Sequence, residues 1–339
     1  MHFLKQQLNS STFNFFKKLM VRFGIIGLGK IAHKFAHDLA MVDGVELRAV
    51  GSRSLDKSSA FAKAYNVKHH HDSYEDCMKN EEVDVIYIAT PHVFHHSLTI
   101  QCLEAGKAVI CEKPMGMNSK QVQEMISLAR EKNLFLMEGL WTRFIPGVKK
   151  ALELINKGAI GKVKHVKADF GFYVNPQSEG RLTQKNLGGG SLLDIGLYPM
   201  YLCNLLLGKP DQIFAKAEIV NGVDRRVNMI YKYGDASGTL YSSFEHKATV
   251  EAIIQGTDGI LKMHEPFHHC SRLTLTDNHG EAQEMNVPHQ GEGYYHEIEE
   301  VRDCIHQGKV QSDKVSWDDS LALHAQLDEV RNQIGLFYE

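Results

Sequence analysis

Two reactive side chains stand four residues apart in Gly188-Gly189-Gly190-Ser191-Leu192-Leu193-Asp194-Ile195-Gly196-Leu197-Tyr198. Four residues make about one helical turn, so the Asp194 carboxylate and the Tyr198 phenol are expected on one face. The three glycines let the backbone pass close to a bulky neighbour. Far upstream, Glu112-Lys113-Pro114 follows a short apolar run at 108–111. A lysine at the carboxyl end of a strand in an open α/β sheet points into the ligand crevice. Read alone, the 188–198 segment is a buried helix with a flexible entrance; its chemistry depends on what stands beside it.

A nucleotide signature supplies that neighbour. Gly27-Leu28-Gly29-Lys30-Ile31-Ala32 fits Gly-x-Gly-x-x-Ala between a strand at 21–26 and a helical pattern at 31–41. In such a turn Gly27 makes the tight bend and Gly29 admits a pyrophosphate to the helix N-terminus. Lys30 and Ile31 open the helix there, and Ala32 packs it on the strand. The next strand, 45–51, ends in Gly51-Ser52-Arg53-Ser54. An acidic residue there would bind a ribose 2′-hydroxyl and repel a 2′-phosphate. Arg53 instead offers a bidentate phosphate partner and Ser52 a hydroxyl donor, which favours NADP and leaves NAD open.

Strand-like runs at 83–89, 108–111 and 133–138 alternate with helical patterns at 58–65, 93–105 and 118–132, which implies a parallel sheet with crossover helices. After about residue 160 the texture changes. A strand at 163–174 leads into a polar loop at 175–187, and 188–207 reads as one long buried helix. Strand-like runs with turns at Asn221-Gly222, Thr257-Asp258-Gly259 and Asp277-Asn278-His279-Gly280 follow. Two helices near 293–307 and 317–335 close the chain. The expected fold is α/β: a doubly wound, Rossmann-type domain at 20–141, then an α+β domain at 142–339 with an open, mostly antiparallel sheet. The closing helices are free to pack back on the first domain.

Composition narrows the classes. The chain has 339 residues, 43% hydrophobic and 23% charged, with net charge −3. Nothing in that balance calls for nucleic acid or an anionic membrane. No stretch reads as long and apolar enough to span a membrane. The six cysteines form no Cys-x-x-Cys pair, as expected of a reduced, cytoplasmic protein. Residues 1–19 lack a signal-peptide pattern; either Met20 is the natural start or they form an extension. His69-His70-His71, His92 with His95 and His96, and His268-His269-Cys270 lack a convincing zinc spacing, so no metal is expected. Polar loop and helix surface is the reading for most histidines.

The ordered set of Gly27–Ala32, Ala89-Thr90-Pro91-His92-Val93-Phe94-His95 and Ala105–Pro114 resembles the Gfo/Idh/MocA oxidoreductases from about Met20 onward. Trp141-Thr142-Arg143-Phe144-Ile145-Pro146 and the 188–198 segment look most like the dimeric dihydrodiol dehydrogenase branch. The resemblance implies hydride transfer between nicotinamide C4 and a carbinol or carbonyl carbon of a sugar, polyol or dihydrodiol. It places Lys113 beside nicotinamide and substrate, Tyr198 at the proton-transfer position and Asp194 at the acidic one. Thr90, Pro91, His95, Glu112, Trp141 and Arg143 become cofactor-side candidates. It also implies a homodimer through open sheet faces, with a tetramer as the larger form. A free tyrosine titrates near pH 10, and the Lys113 ammonium would favour its phenolate. Two other readings use the same fold: a non-catalytic NADP sensor and an NAD-dependent glycosidase. Val227, Ile230, Leu240, Tyr241, Ile253 and Leu261 are expected to be buried on one sheet face or the other.

Overall fold

A computed structural model describes residues 20–338, so the expectations for residues 1–19 fall outside the described residues. Val21–Ile26 (β1), Val45–Gly51 (β2), His69–His71 (β3), Val85–Ile88 (β4), Ala108–Glu112 (β5) and Leu136–Gly139 (β6) form a six-stranded sheet in the order β3-β2-β1-β4-β5-β6. Every pairing in it is parallel. β4, β5 and β6 are buried along their whole length, as strands covered on both faces must be. Strand order reverses between β1 and β4, which opens a crevice at their carboxyl ends. Helices Lys30–Leu39 (α1), Leu55–Tyr65 (α2), Tyr74–Lys79 (α3), His95–Glu104 (α4) and Ser119–Lys132 (α5) cover the sheet. Ser54 and Asn118 cap α2 and α5 through their side chains. Strand β3 and helix α3 were not foreseen; three histidines and a six-residue helix carry too little periodicity to be seen.

Helix Pro146–Asn156 (α6), also unforeseen, leads to the second sheet. Its strands are Val163–Gly171 (β7), Gln212–Val220 (β8), Val223–Tyr233 (β9), Ala236–Ser243 (β10), Ala252–Gly256 (β11), Gly259–Met263 (β12), Arg272–Asp277 (β13) and Ala282–Asn286 (β14). The order is β14-β13-β12-β11-β7-β10-β9-β8. Only the β7–β10 pairing is parallel. From Arg225 to Tyr233, alternation along β9 buries one face and leaves the other open. The six candidate core residues divide accordingly. Val227, Leu240 and Leu261 are buried, Tyr241 and Ile253 are half-buried, and Ile230 is 53% exposed.

The single helix expected over 188–207 is two pieces. A π-helical turn at Leu192–Gly196 precedes α7, Leu197–Leu207. The buried Asp224 carboxylate takes the Leu192 N–H at 2.6 Å and the Ser191 hydroxyl at 2.8 Å. Pro199 has no N–H to return to Ile195, which frees the register just where the wider turn forms. The expectation of no membrane-length apolar stretch needs correction as well. Lys185–Leu207 passes on length and composition, but most of it is buried inside the molecule.

The last helices, Tyr295–His306 (α8) and Trp317–Ile334 (α9), lie against the first domain. Asp38 in α1 is fully buried and accepts the backbone N–H groups of Glu292, Tyr294 and Tyr295. From α9, Trp317 Nε1 donates to the Leu136 carbonyl at 3.0 Å, and Asp328 accepts from the Ser119 hydroxyl at 2.6 Å.

Candidate active site

The crevice at the carboxyl ends of β1, β4 and β5 deepens into a cavity of about 510 Å³ closed by the second domain. Its floor begins at the glycine turn. Gly27 has φ +86°, and a Cβ there would meet the backbone of Ala89 and Thr90 at 2.7 Å. A Cβ on Gly29 would meet nothing within 4 Å, and α1 starts without a side-chain cap or an acidic first turn. That open, uncapped helix N-terminus fits a pyrophosphate. Gly29, Lys30 and Ile31 line the cavity, as do Thr90, Pro91 and His95 on the β4 side.

Ser52 and Arg53 stand outside this cavity at the end of β2. Ser52 is buried, while Arg53 is exposed with its guanidinium 5.9 Å from the Phe94 ring. No acidic side chain occupies 52–54, so the position suits a 2′-phosphate and offers a ribose hydroxyl no carboxylate. Arg143 departs from expectation. It is half-buried in the 3₁₀ turn Trp141–Phe144 and does not line the cavity. Trp141, two residues earlier in the same turn, does line it.

Lys113, which lies 81 residues before Asp194 in sequence, meets Asp194 and Tyr198 in the cavity. Lys113 Nζ donates to the Asp194 backbone carbonyl at 2.6 Å, stands 4.0 Å from its carboxylate, and lies 4.9 Å from the centre of the Tyr198 ring. The π turn turns the Asp194 carbonyl toward the lysine, so backbone rather than side chain is the closer partner. The Asp194 carboxylate belongs first to Arg181, whose Nη2 donates to it at 2.6 Å. Arg181 comes from the 175–187 loop and was not foreseen. Burial works against the Asp194 charge, but Lys113 and Arg181 outweigh it and hold the carboxyl below its ordinary range. Lys113 is desolvated too, yet the facing Tyr198, Asp194 and Glu112 keep its ammonium above the usual lysine value. Glu112 is raised by burial, partly offset by Lys113 and by the Tyr87 hydroxyl that donates to it.

The phenol runs against the sequence-based argument. Burial raises Tyr198 above the ordinary tyrosine value, and Lys113 only partly offsets this. Its hydroxyl oxygen accepts the Trp141 indole N–H at 2.9 Å. That leaves its own proton and one lone pair directed elsewhere. Trp141 in turn stacks on Tyr294 at 5.0 Å.

Several histidines read as surface are interior. His92 Nε2 donates to the Gly188 carbonyl at 2.7 Å and so ties the first domain to the glycine run. Burial pushes its pKa down to about 3. His95 has Nδ1 and Nε2 each 2.8 Å from a carbonyl, of Pro114 and of Thr90. It bridges the end of β4 to the residue after Lys113. The two carbonyls favour a second proton, but burial dominates and lowers His95 to about 4, so at neutral pH the ring carries one N–H and donates to one of the two carbonyls at a time. His268 and His269 also line the cavity, with Lys34, Glu292 and Tyr294. The sequence marked His268 and His269 only as an unsupported metal candidate; they are delivered by the connection between β12 and β13. No group of three or more metal-ligating side chains occurs among the described residues.

A parallel nucleotide-binding domain, a mixed open sheet and a lysine–tyrosine cavity between them define a nicotinamide-dependent oxidoreductase of two domains. Residues 21–140 match the family model described as "Oxidoreductase family, NAD-binding Rossmann fold", and 148–262 match the GFO/IDH/MocA C-terminal domain. The chain belongs to the Gfo/Idh/MocA family and is an NAD(P)-dependent oxidoreductase. It is 34% identical to trans-1,2-dihydrobenzene-1,2-diol dehydrogenase of Xenopus tropicalis over 94% of this chain and 100% of that one. The enzyme of that name from Danio rerio is 35% identical over 94% of this chain and 98% of its own. Among solved structures, the 3-ketoreductase KijD10 of Actinomadura kijaniata, bound to NADP and TDP-benzene, superimposes with TM-score 0.85 at 25% identity, covering 93% of this chain and 98% of that one.

Proposed function

We propose that the protein oxidises a secondary alcohol of a small diol, polyol or sugar, and reduces the corresponding carbonyl, using NADP in preference to NAD. The observation that carries this is the meeting of Lys113, Tyr198 and Asp194 in one cavity that begins at the uncapped N-terminus of α1. The preference for NADP is supported by Ser52 and Arg53 where an acidic residue would select NAD, and by the NADP bound to the similar ketoreductase.

The nicotinamide cofactor, when bound, accepts or donates the hydride. The chain must bind the alcohol and handle its proton. Tyr198 Oη takes the hydroxyl proton in oxidation and returns it in reduction. Lys113 stabilises the phenolate and is itself fixed by the Asp194 carbonyl. Trp141 holds Oη by its indole N–H. Asp194 acts as a positioning residue, since its carboxylate is committed to Arg181. Because Tyr198 is raised in the free protein, the protonated phenol dominates at neutral pH, which favours carbonyl reduction.

Two expectations complete the reading. The open face of the second sheet, with Phe214 and Ile230 paired across β8 and β9 and both more than half exposed, supports a homodimer. Six free, buried thiols support a reducing, cytoplasmic setting. Absorbance at 340 nm tests the reaction. NADP and NAD are each supplied with aldoses, inositols, trans-dihydrodiols and, in reverse, dicarbonyls with NADPH. Turnover of at least one class with NADP is expected; cofactor binding without turnover across the panel overturns the reading in favour of a sensor.

A further inference from the structure

A second cavity, of about 540 Å³, shares no lining residue with the active site. Its walls come from the start of α5, the turn at 185–187, the end of α9 and Tyr338 beyond it. The side chains there offer donors. Asn118 Oδ1 takes the Gln121 N–H at 2.9 Å, and Gln121 Oε1 takes the Met117 N–H at 2.8 Å. Both amide oxygens are spent on the backbone, which leaves each –NH2 as the free end. Arg331 lines the cavity at 8% exposure. Its Nη2 donates to Asp328, and its guanidinium lies 5.5 Å from the centre of the Tyr338 ring. Nε is fully enclosed. Nη1 is not, and no described residue bonds it; the same holds for Asn118 Nδ2 and Gln121 Nε2. Lys185 lines the cavity from the surface and is in no ion pair among the described residues.

These groups define a class of ligand. No acidic side chain lines the cavity. Asp328 offsets one side of the Arg331 charge, so Lys185 is the uncompensated cation. Two amide –NH2 groups, a guanidinium N–H and an ammonium all donate, and an oxyanion accepts from every one of them. The space is much larger than a bare carboxylate or phosphate needs, and Val93, Met117 and the Tyr338 ring give it an apolar side. That side is fixed rather than loose, because the Tyr338 hydroxyl donates to the Gly189 carbonyl at 2.6 Å. An apolar body attached to the oxyanion fills such a space.

We propose that this second cavity binds a small organic oxyanion, a carboxylate or a phosphate ester with an apolar body, through Arg331, Asn118 and Gln121, with Lys185 on its exposed side. Calorimetry on the NADP-loaded protein tests it, since NADP occupies the phosphate-binding positions of the nucleotide domain. The probes are hexanoate, hexyl phosphate and the neutral hexanamide. Wild type is expected to bind at least one of the anions, one per chain, about 10-fold or more tighter than hexanamide. Tighter hexanoate assigns a carboxylate ligand; tighter hexyl phosphate assigns a phosphate ester. Gln121→Glu keeps the acceptor for the Met117 N–H and puts a negative charge where the donor stood. Asn118→Asp does the same and keeps the cap of α5. Each should weaken the anion by about 10-fold or more and leave hexanamide unchanged. Lys185→Gln, on the surface, disturbs no packing and should weaken the anion by about 2–5-fold. Three results overturn the site: neither anion binds below about 10 mM, hexanamide binds as tightly as the anions, or anion affinity survives all three substitutions, which would place the ligand elsewhere.

Discussion

At the scale of residues, the site is a problem of stabilising a phenolate inside a protein. Tyr198 is buried at the cavity wall and titrates above its ordinary value, so Lys113 and the Trp141 N–H work against burial rather than beyond it. Removing the proton carrier with Tyr198→Phe is expected to lower kcat by about 10²–10⁴-fold with NADP affinity retained. Lys113→Met should lose a comparable factor and leave the phenol still harder to ionise; steady-state kinetics and a fluorescence titration of NADPH check both. In oxidation the base is the phenolate. The rate should therefore climb with pH toward the raised Tyr198 value, while carbonyl reduction, which needs the phenol, stays level through neutral pH. A pH profile of each direction decides this, and an oxidation rate that levels off below pH 8 contradicts it. Lys113 and Tyr198 were both legible in the sequence because each sits beside a recognisable motif. The sign of the Tyr198 shift was not, since it depends on how completely the fold excludes water from the ring.

Elements set these groups by a few backbone devices. Gly188 has φ +70°, and a Cβ there would come within 2.2 Å of the His92 ring that donates to its carbonyl. Gly188→Ala should cost about 1–3 kcal/mol and lower kcat, by straining the backbone and displacing the helix that carries Asp194 and Tyr198; denaturant unfolding and kinetics measure the two effects. Asp224 anchors the π turn from below, and burial lifts its carboxyl to about 6 from an ordinary 3.8. The folded state thus holds this proton more tightly than the unfolded state does. The stabilising contribution is complete below the unfolded value and is lost as pH rises through about 6, a change of about 3 kcal/mol. Asp224→Asn removes that dependence. The stability of wild type relative to the variant should therefore fall between pH 4 and pH 7, as urea melts at the two pH values would show. The helix at 188–207 was visible as an apolar run, but its π turn was not. That turn is anchored by a carboxylate 32 residues away, which takes the Leu192 N–H.

For the whole molecule, the open sheet face is the remaining surface to account for. Phe214, 54% exposed, and Ile230, 53% exposed, face each other across β8 and β9. Paired Phe214→Glu and Ile230→Lys should convert the expected dimer to a monomer, read as mass by light scattering. An unchanged mass would place the interface elsewhere. The last two helices, which the sequence left free to pack back on the first domain, lie against it through Asp38, Trp317 and Asp328. Those contacts span up to 257 residues, and no local pattern announces them.

The sequence by itself determined what repeats along the chain: the βαβ alternation, the glycine turn that opens α1, the absence of an acid after β2, and the lysine at the end of β5. Each is a local rule of backbone geometry or charge, satisfied within a few residues. Tertiary structure alone decided which side chains share the cavity. Arg181, His92 and His268 arrive from a loop, a 3₁₀ turn and a strand connection whose sequences carry no periodic signal. The burial of His92 and His268, and with it their neutral state, is set by how the two domains close over one another.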